Sequence, residues 1–292
     1  MALDRLPLDL DVSWIHGSLS RQQRTDPPLQ VHTLAPGTVL MRQSKDFTFE
    51  APFIPLLVGE ERALLLDTGA IRDSRIRETA DRLIGDLELV VAHTHGHGDH
   101  IAGDPWFADR AATTVVGADA ADVRSFFGFT QWPDEVVSFD LGARVVKIFG
   151  IPGHHGASIA AYDDRTGLLL TGDTVYPGRI YVNDAPAMLD SLQRLATFAE
   201  SNGVEHVLGC HVEMTRTPGL DYPLGSRHQP DEPSPFMTPA QLRRILDQYR
   251  TVAHRPGIHP FDDVVFCNGS GPRVVLPLLR RSLVERVRHR FR

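Results

Sequence analysis

The stretch Leu89-Val90-Val91-Ala92-His93-Thr94-His95-Gly96-His97-Gly98-Asp99-His100-Ile101-Ala102-Gly103 decides how this chain reads. Leu89 to Ala92 is short, apolar and β-branched at its centre, and a helix-like segment precedes it, so it reads as a buried strand. Gly96, Gly98 and Gly103 place a turn or loop at the carboxyl end of that strand. His95, His97, Asp99 and His100 fall within six residues, and the glycines let the backbone fold back until the four side chains converge. Imidazoles packed this tightly would repel or stay unpaired without a shared partner. Nitrogen and carboxylate donors without a thiolate suit zinc, iron, manganese or cobalt, and a metal site is expected here.

Outward from this stretch, other polar residues follow apolar runs in the same way. Asp67 follows Leu64-Leu65-Leu66, His154 follows Ile151-Pro152-Gly153, Asp173 follows Leu169-Leu170-Thr171-Gly172, and His211 follows Leu208-Gly209-Cys210. Each stands where a strand would hand over to a loop, as functional groups on a rigid scaffold do. Candidate strands are Thr38–Arg42, Phe53–Val58, Ala63–Asp67, Thr113–Val116, Arg144–Phe149, Ser158–Tyr162, Leu168–Thr171, Glu205–Leu208 and Asp263–Cys267. Helical periodicity covers Asp73–Ile84, Ala118–Phe127, Ala187–Glu200 and Pro239–Ala253, the last capped by Thr238. This α/β alternation predicts mixed sheets covered by helices. Trp14 to Pro36 reads as an irregular arm, broken by Pro27, Pro28 and Pro36.

With 292 residues, 42% hydrophobic and 23% charged, the chain has an ordinary globular composition, and one domain is favoured. Residues 1–217 are expected to form the core with its arm, and 218–292 an extension packed on it. The formal net charge of −7 argues against nucleic acid as the main partner. No apolar run is long enough to span a bilayer, and Met1 to Leu10 lacks the pattern of a secretion signal. Cys210 and Cys267 are the only cysteines, so a cytoplasmic location is expected. Arg280, Arg281, Arg286, Arg288, Arg290 and Arg292 crowd the end, beside Leu279, Leu283, Val287 and Phe291 at helical spacing. This reads as a surface helix with a solvated basic face, or as a contact for an anionic partner or a second subunit of a homodimer.

His95-x-His97-x-Asp99-His100 after a strand resembles the signature of the metallo-β-lactamase superfamily. Asp67, His154, Asp173 and His211 resemble the family's other motifs in chain order, and the resemblance covers about Pro52 to His211. It implies a four-layered αβ/βα sandwich with two mixed sheets and the metal site at one edge between them. It assigns His95, His97 and His154 to one metal, Asp99, His100 and His211 to a second, and Asp173 to both. A water shared by two cations, most readily zinc, with iron or manganese next, would supply hydroxide near neutral pH as the nucleophile. Asp67 is expected to orient a histidine or a loop amide rather than bind metal. His93 and His155 are expected to be non-ligands, and Cys210 a small buried side chain.

Asp99 and Tyr176 are the catalytic candidates. Tyr176 lies three residues past Asp173, a spacing similar to that of a carbonyl-polarising tyrosine in the superfamily's acyl-homoserine lactonases. An aromatic that only packs beside the site is the other reading. The resemblance leans toward the glyoxalase II and lactonase branch, because the commonest classical metallo-β-lactamases carry cysteine where Asp173 stands. A small-molecule ester, thioester or lactone is therefore the expected substrate. A mononuclear iron dioxygenase of the persulfide dioxygenase type and a β-lactam hydrolase are the alternatives, and a non-catalytic member is disfavoured by the complete ligand set. Asp221 to His228 could line the pocket, with Arg227 holding a substrate carboxylate, or serve as plain connection.

Overall fold

The computed structural model describes residues 5–20, 22 and 24–290, with side chains through 283. Six strands come first, β1 (Leu29–Ala35), β2 (Thr38–Gln43), β3 (Phe53–Val58), β4 (Arg62–Leu66), β5 (Glu88–Ala92) and β6 (Thr113–Val115). They form one sheet in that order, antiparallel as far as β4 and parallel from β4 to β6. Helix α1 (Arg75–Ile84) makes the crossover from β4 to β5, the short α2 (Gly98–Ile101) follows β5, and α3 (Ala120–Phe127) follows β6. Then come β7 (Val136–Asp140), β8 (Val145–Gly150), β9 (Ile159–Asp163), β10 (Leu168–Gly172), β11 (Arg179–Val182), α4 (Ala185–Asn202), β12 (His206–Gly209) and β13 (Phe236–Met237). The second sheet runs β13-β12-β10-β9-β8-β7, with β10 and β12 parallel and the remaining pairs antiparallel. The chain ends with α5 (Pro239–Val252), β14 (Gly257–Pro260), β15 (Val265–Asn268) and α6 (Pro272–Arg290).

The layering follows from alternation along each strand, because successive side chains face opposite sides of a sheet. Leu64 and Leu66 of β4 pack between the sheets with Val90, Ile148, Ala161, Leu168 and Leu170, whereas Ala63 and Leu65 pack outward with Ile76 and Ala80 of α1. On the far face of the second sheet, Tyr162, Leu169 and Val207 meet Leu192 and Leu195 of α4 and Leu242 and Leu246 of α5. Helix, sheet, sheet and helix form the four-layered αβ/βα sandwich. Both sheets are mixed, and their central strands are buried on both faces, so those strands read as nearly continuous apolar runs. Each leucine buried there contributes about 1.5–3 kcal/mol. Arg144 links the two sheets: it holds Asp163 of the second through contacts of 3.0 and 2.7 Å and donates to the Val58 carbonyl of the first.

The segment from 218 onward is woven into this frame. β13 adds to the edge of the second sheet beside β12, and β15 pairs in parallel with β11 and antiparallel with β14. The structure departs from the sequence reading at several points, with β7, β11, β13 and β14 absent from the candidate strands. The irregular arm contains β1, and the loop after β5 winds into one helical turn at α2. Met1 to Asp4, Arg21 and Gln23 of the expected arm, and the side chains of Arg286, Val287, Arg288, Arg290, Phe291 and Arg292 lie outside the described residues. No helix among the described residues is long and apolar enough to cross a membrane.

Candidate metal centre

Strand direction brings the motif residues to one edge. β4 and β5 are parallel, β10 and β12 are parallel, and β8 runs with β10 because both are antiparallel to β9. Asp67, His95, His154, Asp173 and His211 each follow the carboxyl end of one of these strands. Two glycines make the close approach feasible. Gly153 has φ +139, and a Cβ there would meet the Met188 backbone at 2.5 Å; Gly172 has φ +53, and a Cβ there would meet Thr94 at 2.8 Å. Any larger residue would push His154 or Asp173 away from the cluster.

The seven expected ligands converge in two groups. His95, His97 and His154 form one, and Asp99, His100, Asp173 and His211 the other, with the donor atoms of each group within 4.8 Å of one another. In the first, His97 Nδ1 lies 3.0 Å from both His95 Nε2 and His154 Nε2. In the second, Asp99 Oδ2 lies 3.5 Å from His100 Nε2 and 3.5 Å from His211 Nε2. Asp173 Oδ2 lies 3.8 Å from His95 Nε2 and 3.6 Å from both His100 Nε2 and His154 Nε2, while Oδ1 is 3.3 Å from His211 Nε2. This one carboxylate faces both groups.

The outer ring nitrogens are held by the protein, which orients the inner ones. His154 Nδ1 meets the Tyr181 carbonyl at 2.8 Å, His211 Nδ1 the Glu50 carbonyl at 3.0 Å, and His100 Nδ1 the Asp67 carboxylate at 2.9 Å. Asp67 is fixed in turn by the Thr94 amide at 2.7 Å and the Thr94 hydroxyl at 2.8 Å. It adopts φ 72, a conformation uncommon for a residue with a side chain and typical of a constrained site.

Electrostatics and donor chemistry both fit a cation. Burial opposes charge on His100 and His211, yet Asp67 and Asp173 raise the first imidazole, and Asp173 and Asp99 the second, well above the ordinary range. Burial and the His100 charge push His95 well below it. The inward atoms His100 Nε2, His211 Nε2 and Asp173 Oδ1 are buried without a hydrogen-bond partner. Such atoms are costly to leave unpaired, and nitrogen and carboxylate donors at this spacing are what a divalent metal takes.

Other residues fall beside these groups. His93 faces Asp104 at 3.1 Å, and His155 Nδ1 accepts from the Ala157 amide, so neither joins a group. Cys210 points at Asp67 with Sγ 3.4 Å from Oδ2, and burial pushes its thiol up to about 12. The Tyr176 phenol is buried and gives its single proton to the Arg179 carbonyl, while its ring stands edge-on to His211 at 5.6 Å. With that proton taken by the Arg179 carbonyl, the geometry supports the packing reading of Tyr176 over the oxyanion one.

The Asp221–His228 segment is likewise engaged internally. Asp221 pairs with Arg179 and Arg281, and Arg227 donates to the Lys45 and Asp46 carbonyls. Asp221, Tyr222 and Pro223 line a cavity of about 930 Å³ with Leu276 and Arg280, and this cavity contains none of the clustered ligands. Sequence reasoning missed Glu50. Burial, opposed by His211 and reinforced by Asp99, pushes its carboxyl up to about 7. No motif marks it, because a position in the β2–β3 connection gains meaning only once that loop closes against His211.

Residues 53–211 match the model of the metallo-beta-lactamase superfamily, more than half of the chain. A hydroxyacylglutathione hydrolase of Methylococcus capsulatus is 32% identical over 108 residues, covering 36% of this chain and 42% of that protein. Another from Synechococcus sp. strain JA-3-3Ab is 31% identical over 160 residues, covering 52% of this chain and 61% of that protein. The chain thus spans about half the length of the curated relatives it matches. A metallo-beta-lactamase from Pontibacter korlensis superposes with a TM-score of 0.53 at 14% identity, over 76% of this chain and 99% of that one. ETHE1 from Myxococcus xanthus superposes with a TM-score of 0.50 at 21% identity, over 73% and 84%. At these identities the likeness of structure speaks for the fold alone. Sandwich, strand-end histidine and aspartate groups and matched segment together place this chain in the metallo-beta-lactamase superfamily.

Proposed function

We propose that the chain is a metal-dependent hydrolase that cleaves an ester, thioester or lactone of a small molecule. The observation that carries this reading is Asp173, whose two oxygens face the two ligand groups at 3.3–3.8 Å. His95, His97 and His154 would hold one cation, and Asp99, His100 and His211 the other, with Asp173 shared. Zinc suits this donor set best, and iron or manganese comes next. When bound, two such cations bring the pKa of water toward neutrality and so supply hydroxide as nucleophile.

The chain's own part is orientation and charge. Asp67 holds His100, and the carbonyls of Tyr181 and Glu50 hold His154 and His211, so the imidazoles need no reorganisation when substrate arrives. The Asp99 carboxylate lies beside His100 and His211, where it can accept a proton from attacking water.

Asp173 in place of a cysteine, and relatives named for hydroxyacylglutathione hydrolysis, support the substrate class. Specificity constants measured on an acyl-glutathione thioester, an aryl ester, a homoserine lactone and nitrocefin test it. The expected outcome is turnover of at least one of the first three well above nitrocefin; strong β-lactam hydrolysis with the others inert would overturn it. A single tightly held iron with oxygen consumption would replace hydrolysis by oxygenation.

A further inference from the structure

His154 and His211 are both oriented through a backbone carbonyl, but the two carbonyls are fixed differently. Tyr181 lies in β11, which is hydrogen-bonded along its length to β15. Glu50 lies in the connection between β2 and β3, outside any strand. Lys45, with a side chain 1% exposed, donates to the Phe49 carbonyl at 3.3 Å, one residue before Glu50. Its ammonium lies 3.7 Å from Glu232 Oε1. Arg42, near the end of β2, grips the same carboxylate through contacts of 2.7 and 2.9 Å. The Glu232 side chain is 9% exposed, and the residue lies beyond residue 211, where the match to the family model ends.

A cluster of buried charges adds little to stability when compared with apolar residues of the same size, because desolvation offsets the attraction. Its stronger effect is on geometry, since a bidentate guanidinium–carboxylate pair fixes direction as well as distance. Here the geometry that is fixed ends one residue from the acceptor of a ligand histidine.

We propose that Glu232 is a positioning residue for the second ligand group: through Arg42 and Lys45 it fixes the 44–50 loop so that the Glu50 carbonyl aims His211 at Asp99, His100 and Asp173. This inference rests on reading the two groups as a metal centre. The first group has no such dependence, because the carbonyl that holds His154 belongs to a paired strand.

The test uses the full chain titrated with zinc against a competing chelator, for the unmodified protein, Glu232→Gln and Lys45→Met. Lys45→Met keeps the Arg42–Glu232 pair and puts an apolar chain of similar length in the buried site, and circular dichroism of both variants checks that the fold is retained. In both variants one equivalent is expected to bind with unchanged affinity and the other to weaken roughly ten- to a hundredfold, as for loss of an outer-shell partner. Amide exchange in residues 44–50 should quicken at the same time. In a His97→Ala background, where only the second group is complete, the remaining equivalent should weaken by the same factor. Wild-type affinities in both variants, or equal weakening of both equivalents, would overturn the proposal. An unmodified chain that binds no zinc would overturn the functional reading with it.

Discussion

The two ligand groups differ in how far the chain must travel to build them. In the first, His95 and His97 are two residues apart and share the turn after β5, with His154 from one other loop. The second draws Asp99 and His100 from α2, Asp173 from the end of β10 and His211 from the end of β12. Its orientation also depends on Asp67 after β4 and on the Glu50 carbonyl in a loop. The first group is mostly local geometry on a strand end; the second holds together only while several separate segments stay in register. Perturbations away from the ligands should therefore disturb the second group sooner than the first.

The largest effect should come from the residue common to both groups. Asp173→Ala is expected to lower metal content from about two equivalents to below one, and the catalytic rate constant by roughly a hundred- to a thousandfold or more. An Asp173→Ala protein that keeps both equivalents would show that the groups are independent sites. Asp67→Asn comes next and should separate the groups. It weakens the partner of His100 and leaves a buried imidazole poorly compensated, so urea unfolding should report a loss of about 3–5 kcal/mol. One metal equivalent should weaken roughly ten- to a hundredfold, and equal loss of both would blur the contrast.

The smallest effects should come from two neighbours of the second group to which no contact with substrate is assigned. Cys210→Ala removes a protonated thiol and should leave activity within about twofold, with at most a small cavity cost. Tyr176→Phe deletes one hydrogen bond to the Arg179 carbonyl, which is worth about 1 kcal/mol of stability, and should leave the rate constant nearly unchanged. A drop beyond tenfold in that rate constant, with metal content intact, would return the phenol to the oxyanion.

Legibility in the sequence divides along the same line. The strands that carry ligands are apolar runs ending in a polar residue, and the density of His95, His97, Asp99 and His100 marks a site without any structure. Strand β7 escapes the sequence reading: it alternates exposed and half-buried residues at the edge of the second sheet, so its apolar signal is diluted. β1 hides behind Pro27 and Pro28 and is recognised only by its pairing with β2. The orienting carbonyls of Tyr181 and Glu50 are invisible to residue type, because a backbone acceptor is the same in every residue. Tyr176 stays ambiguous in sequence for a related reason. Spacing from Asp173 fixes where its Cα lies, whereas the Arg179 carbonyl decides where its hydroxyl points.

The most direct test of the two-group metal centre is elemental analysis of the full chain, purified without added metal and again after chelation and reloading, with esterase or thioesterase activity followed in parallel. About two equivalents of zinc, iron or manganese per chain, with activity lost on chelation and recovered on reloading, is the predicted result. No stoichiometric transition metal after reloading, or activity indifferent to its removal, would contradict it.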